Sequence, residues 1–138
     1  MSAYESLAFS YDALTYDVPY PEIAAFFERV LKRSGVEAQT VLDLACGTGS
    51  LSLLLAQKAK KVIGIEIVPE AIQNANENAT RNGIANAEFH VGATEELLPK
   101  LVENGLRPDV IVLDPPRKGC DAVVITTIAA MRPTRVVY

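Results

Sequence analysis

The chain has 138 residues, 49% of them hydrophobic and 22% charged, with a formal net charge of −4 at pH 7. That length suits one domain with a sizeable core and leaves no room for a second. The acidic balance gives no general attraction to nucleic acid, no apolar run reaches the roughly 18 residues of a membrane span, and Met1-Ser2-Ala3-Tyr4-Glu5 lacks the pattern of a signal peptide.

A cytoplasmic location with no membrane contact is the expectation. Cys46, Cys120 and the single histidine, His90, have no metal-ligand spacing, so neither a disulfide framework nor a metal site is expected. Any RNA contact has to come from a local patch, and Arg117-Lys118 is the nearest candidate.

Residues 1–35 read as an arm and a helix. Tyr4, Tyr11, Tyr16 and Tyr20, with Phe9 and Leu14, either pack on the core or lie over a site as a lid. From Pro21, the positions Ile23, Phe26, Phe27, Val30 and Leu31 recur at helical spacing, with Lys32 and Arg33 in the last turn and Gly35 as the stop.

Residues 36–138 read as a βα core. Val41-Leu42-Asp43-Leu44-Ala45-Cys46-Gly47-Thr48-Gly49 is a buried strand with an acid inside it, entering a tight Gly-x-Gly turn; a short apolar helix follows from about Ser50. Gly47 and Gly49 allow positive φ and close approach of a ligand, and a side chain at either is expected to intrude on that space. Ser52 stands where a dinucleotide fingerprint has its third glycine, and Asp43, facing the loop, suits a cationic ligand group better than a pyrophosphate. A second strand, 61–66, ends in Glu66, where nucleotide-binding folds place an acid on ribose hydroxyls.

A helix starting at Pro69 and stopping at Asn82-Gly83 follows, then a strand at 87–91 ending at Gly92. The next helix opens at Thr94; Pro99 either marks its first turn or kinks it. The fourth strand, 108–114, is stopped by Pro115-Pro116. Residues 121–131 hold six consecutive β-branched side chains, Val123 to Ile128, yet the alternation of strands and helices predicts a helix there. A fifth strand begins at Arg135, and the core is expected to be incomplete at its C-terminal end.

The alternation implies an α/β fold: a Rossmann-like, doubly wound parallel sheet of about five strands, order 3-2-1-4-5, with helices on both faces and ligands at the carboxyl ends of its strands. Gly47, Gly49, Glu66, Gly92 and Asp114 all fall at such ends. A Val-rich fifth strand at an edge invites pairing with a second copy, so a homodimer through the C-terminal edge is expected.

The VLDLACGTGS stretch, with the Tyr11-Asp12-x-Leu14-Thr15-Tyr16-Asp17 arm, resembles the start of small bacterial class I S-adenosylmethionine (SAM) methyltransferases, over residues 1–56. From about residue 59, KVIGIEIVPEAI, ENATRNGI and VLDPPRKGCD are similar to the core of the RNA (uracil-5-)-methyltransferase family. Two resemblances in one chain raise the expectation of a chimera of two related folds, designed or recombined, with its junction inside the first helix of the core. They imply that Asp43, Ala45, Gly47, Gly49, Glu66, Ile67, Gly92, Ala93 and Asp114 contact SAM or S-adenosylhomocysteine, and that Asp114 with Pro115 lies beside the acceptor. Ala93 departs from the polar residue that contacts adenine in the family. The family's attacking cysteine and its later acid would fall beyond Tyr138, and Cys120, with no histidine to activate it, reads as an inert thiol.

Three readings follow: a SAM-dependent methyltransferase domain acting on an RNA uridine or a small molecule, a SAM-binding chimeric half-fold without turnover, and a nicotinamide-binding domain. Ser52 and the lack of a proton-transfer histidine near a plausible substrate site disfavour the last.

Overall fold

Val41, Leu42 and Leu44 are almost wholly buried, and the strand they belong to, Thr40–Leu44 (β1), runs through the middle of the sheet. The computed structural model describes residues 39–113 and 122–137, with Glu22, Ala25, Arg29, Lys32 and Arg33. The arm at 1–20, the apolar face of the first predicted helix, Asp114, Pro115, Arg117, Lys118, Cys120 and Tyr138 lie outside the described residues. The five described positions of that helix are helical and exposed, and none of them is one of its predicted apolar positions.

β1 pairs in parallel with Lys61–Glu66 (β2) and Val110–Leu113 (β4); β2 carries Ala87–Val91 (β3) at one edge, and β4 carries Arg135–Val137 (β5) at the other. The order is β3-β2-β1-β4-β5, as predicted. Four helices make the crossovers: Ser50–Ala56 (α1), Pro69–Arg81 (α2), Thr94–Glu103 (α3) and Ala122–Met131 (α4). Parallel strands covered on both faces need no polar alternation, which is why β1, β2 and β4 read as apolar runs.

Leu42, Leu44, Ile63, Ile65 and Ile111 pack on one face against Leu98 of α3 and Val124 and Met131 of α4. On the other face Val41, Val62, Val110 and Val112 pack against Leu55 and Ala56 of α1. The strand order reverses between β1 and β4, so β1 ends at the point where such sheets bind ligands.

Local preference and tertiary demand conflict at two helices. α4 is helical despite its β-branched run: Thr126 Oγ1 and Thr127 Oγ1 donate to the carbonyls of Ala122 and Val123, at 2.8 and 2.6 Å, and Val124 and Met131 are buried. α3 starts at Thr94, so Pro99 lies inside the helix and beyond its first turn, where it has no N–H to offer the carbonyl of Glu95.

The fourth strand starts two residues later than predicted, at Val110, because Asp109 has another task. Its Oδ2 accepts from the N–H groups of Gln39 and Thr40, at 3.0 and 2.8 Å. Its carbonyl accepts from Thr134 and Arg135, at 2.8 and 3.1 Å. One residue therefore joins the starts of β1, β4 and β5. Each bond to its carboxylate contributes roughly 1.5 kcal/mol, so Asp109→Ala is expected to lower stability by about 3 kcal/mol. Urea denaturation checks this, and a loss below about 0.5 kcal/mol, the level of an ordinary surface change, contradicts it.

Candidate functional site

At the carboxyl end of β1 the backbone leaves the sheet through three left-handed residues, Ala45 (φ 64°), Gly47 (φ 57°) and Gly49 (φ 83°). Cys46 between them still donates its N–H to Ile65 O of β2, at 3.0 Å. Gly49 then donates to Cys46 O at 3.0 Å and accepts from Leu53 N at 2.8 Å, which starts α1. A left-handed alanine costs roughly 1–2 kcal/mol, so the turn holds Ala45 against its own preference.

The two glycines serve different neighbours. A Cβ at Gly47 would meet nothing within 4 Å. A Cβ at Gly49 would lie 3.0 Å from Ala75 Cβ and 3.0 Å from Phe89 Cζ. A side chain at Gly47 would stand in open space, whereas Gly49 makes room inside the protein for α2 and the Phe89 ring.

Glu66, at the end of β2, reaches across to this turn, where its Oε2 accepts the N–H of Gly47 at 3.2 Å. Gly92 donates its N–H to the Glu66 carbonyl at 3.0 Å, so the end of β3 is tied to the same residue. Ile67 beside it is 64% exposed, a large apolar side chain left on the rim. Ala93 follows as the extended residue that begins α3. The structure thus brings Ala45, Gly47, Glu66, Ile67, Gly92 and Ala93 to one rim over three adjacent strands.

Asp43 is placed differently from the expectation. Its side chain turns inward, is 4% exposed, and accepts a hydrogen bond from Ser52 Oγ of α1 at 2.5 Å. It lies beneath the turn and does not face outward from it. Ser52, wholly buried, had only the negative reading of a missing glycine. Its signal in the sequence was a serine flanked by leucines in a helix otherwise built for burial. Phe89 carried no signal beyond that of a strand residue.

Cys46 is no nucleophile. Burial first, then the carboxylates of Asp43 and Glu66, pushes its thiol well above the ordinary range, so it stays protonated at neutral pH. A folded-state pKa raised above the unfolded one gives stability that is fully present below the unfolded pKa, about 8.5 for a thiol, and is lost as pH rises above it. Stability measured by denaturant at pH 7 and pH 10 is expected to fall, and Cys46→Ala is expected to flatten that fall. An unchanged slope in the variant contradicts the assignment. His90 is on the α3 side of β3, with its Nε2 2.8 Å from Glu88 Oε1, while Lys61 lies 3.1 Å from Glu88 Oε2. The hydrogen bond from Lys61 is the first cause of the lowered Glu88 pKa, and none of the three is drawn into the glycine turn.

A parallel sheet with a glycine turn at its switch point, and a carboxylate answering it from the next strand, defines a nucleotide-type binding domain of the doubly wound class. The model of a family described as a methyltransferase domain matches residues 36–132, and the chain belongs to that family. An uncharacterized RNA methyltransferase of Bacillus cereus is 49% identical over 124 residues, covering 89% of this chain and 27% of that protein. One of Oceanobacillus iheyensis is 53% identical over 113 residues, covering 81% and 25%. The chain therefore spans about a quarter of the length of these relatives. The match of 124 residues takes in both sides of residues 56–59, where a chimeric junction was expected.

Among solved structures, the Pyrococcus abyssi tRNA (uracil-54, C5)-methyltransferase in complex with S-adenosyl-L-homocysteine superposes with a TM-score of 0.63 at 27% identity, over 79% of this chain and 26% of that one. A S-adenosylmethionine-dependent methyltransferase of Clostridium acetobutylicum gives a TM-score of 0.64 at 23% identity, over 80% and 43%, a likeness of fold alone. No helix among the described residues is long and apolar enough to cross a membrane.

Proposed function

We propose that this chain is the SAM-binding part of a methyltransferase that modifies a base in RNA. The observation that carries the reading is the junction of Gly47 and Glu66. The open space over Gly47 admits a ligand against the backbone, and the Glu66 carboxylate, with Oε2 on the Gly47 N–H, keeps Oε1 for ribose hydroxyls. Ile67 offers an apolar contact, Gly92 and Ala93 border the adenine side, and Asp43 supplies negative charge beneath the turn. SAM would bring an activated methyl group to this rim. The residues described here bind and orient it.

Asp114 and Pro115 remain the proposed acceptor-side pair, directly beyond β4. The RNA class of acceptor is supported by the names of the relatives and of the Pyrococcus abyssi neighbour, with a net charge of −4 requiring local contact through residues such as Arg117 and Lys118. Calorimetric titration of SAM and S-adenosylhomocysteine tests the cofactor reading: binding by the wild type that Gly47→Val abolishes is the expected result, and a folded wild type that binds neither overturns it. Transfer of labelled methyl to a uridine-containing RNA then separates a methyltransferase from the alternative of a binding unit without turnover.

A homodimer through the outer edge of β5, where Val136 is 41% exposed, is the proposed assembly. Sedimentation at tens of micromolar is expected to show a dimer, and a monomer there removes the proposal.

A further inference from the structure

Ser52 sits at 0% exposure among Leu53, Leu55 and Ala56, the other buried residues of α1. A hydroxyl at such a position destabilises unless it is bonded, and it is bonded to one acceptor, Asp43 Oδ2, at 2.5 Å. A charged acceptor makes this one of the stronger hydrogen bonds available to a side chain.

The place of the pair in the fold gives it a task. Asp43 lies next to the last residue of β1, and Ser52 lies in the first turn of α1. Between them runs the turn with three left-handed residues, Ala45, Gly47 and Gly49, two of which have no side chain to hold them. The hydrogen bond closes this loop at its base. The register neighbours of Asp43 on either side, Gly64 of β2 and Val112 of β4, bring no charge, while Cys46 and Glu66 place a thiol and a second carboxylate nearby.

We propose that Ser52 is a positioning residue of the cofactor site: acting through Asp43, its hydroxyl fixes the turn so that the Gly47 N–H meets Glu66 and the space above Gly47 stays open. The proposal rests on the SAM-binding reading above, and it extends that reading to a residue that touches no ligand. Packing alone does not explain a serine here. Alanine is the better helix former and would spare the helix a buried hydroxyl.

The test uses Ser52→Ala and Ser52→Cys, the second filling the same volume with a weak donor. S-adenosylhomocysteine affinity is expected to fall by about tenfold in Ser52→Ala, the size of one charge-assisted hydrogen bond, with Ser52→Cys much closer to Ser52→Ala than to wild type. A packing role would instead leave Ser52→Cys with wild type, and that ranking overturns the proposal. Hydrogen exchange without ligand gives an independent readout. Cys46, Gly47 and Gly49 amides are expected to exchange faster in Ser52→Ala while those of α2 do not change. Exchange that is unchanged at the turn, or raised uniformly, overturns the proposal. If the turn loosens as expected but the wild type binds no S-adenosylhomocysteine, the tether stands and the cofactor reading fails. If the wild type binds and Ser52→Ala binds within twofold of it, the cofactor reading stands and the positioning role fails.

Discussion

Gly64→Val is expected to lower the stability of the fold by about 3 kcal/mol, the upper end of the cost of forcing atoms into a packed core. Gly64 lies in the middle of β2, between β1 and β3, with a backbone that any residue adopts. Strand preference alone would therefore favour valine, by no more than about 1 kcal/mol. Space decides against it. Even the first side-chain carbon would stand 2.7 Å from Phe89 Cδ1 and 2.8 Å from Cys46 Sγ, and valine adds two methyl groups to that. Neither neighbour yields easily, because the Phe89 ring already fills the slot left by Gly49, and Cys46 is pinned through its N–H to Ile65.

The same geometry predicts a coupling. Phe89→Leu withdraws the ring, so Gly64→Ala is expected to cost less in that background than in wild type, by at least about 0.5 kcal/mol, the threshold for contacting residues. Urea denaturation of the four proteins of this cycle measures it. Additive effects would mean that Gly64 is glycine for some reason other than the ring. Gly47 gives the opposite pattern: with nothing within 4 Å, its substitution strains only the backbone, and on the proposed cofactor reading its effect is expected chiefly in ligand binding.

These contacts mark where the sequence stopped being legible. Strand order and element positions followed from apolar runs broken by glycine and proline, since in a covered parallel sheet burial itself writes the pattern, and Lys61–Glu66 and Pro69–Arg81 fall where the runs and caps placed them. Even the β-branched stretch of α4 yielded to the alternation. The turn at Gly47 and Gly49 and the strand-end position of Glu66 were legible because a Gly-x-Gly after an apolar run and an acid closing the next one are rare in combination. Which glycine stands in open space was not. A glycine that borders open space and one that admits a phenylalanine ring are the same letter, and the ring arrives from residue 89 on another strand. Asp43 and Asp109 were hidden for a related reason. One is an acid inside an apolar run and the other an acid beside one, and only the fold shows that the first is buried on a serine of α1 while the second gathers three strand ends.

Glu66→Ala is expected to weaken S-adenosylhomocysteine binding by about a hundredfold, a loss near 2.8 kcal/mol. The size follows from two tasks held by one carboxylate. Oε2 holds the Gly47 N–H at 3.2 Å, and Oε1 is the proposed acceptor for the ribose; a hydrogen bond to a charged group is worth roughly 1.5–3 kcal/mol, with the lower figure suited to each because the site is only part-buried. Glu66→Gln keeps an acceptor for one task and is expected to lose about tenfold, provided its amide turns the oxygen toward Gly47. Titration against a ligand lacking one ribose hydroxyl separates the two tasks. In wild type that ligand is expected to bind about tenfold more weakly than S-adenosylhomocysteine; in Glu66→Ala the two ligands are expected to bind alike, because the partner of the missing hydroxyl is gone. Should the tenfold difference persist in Glu66→Ala, Glu66 serves the glycine turn alone, and the ribose is held by another group.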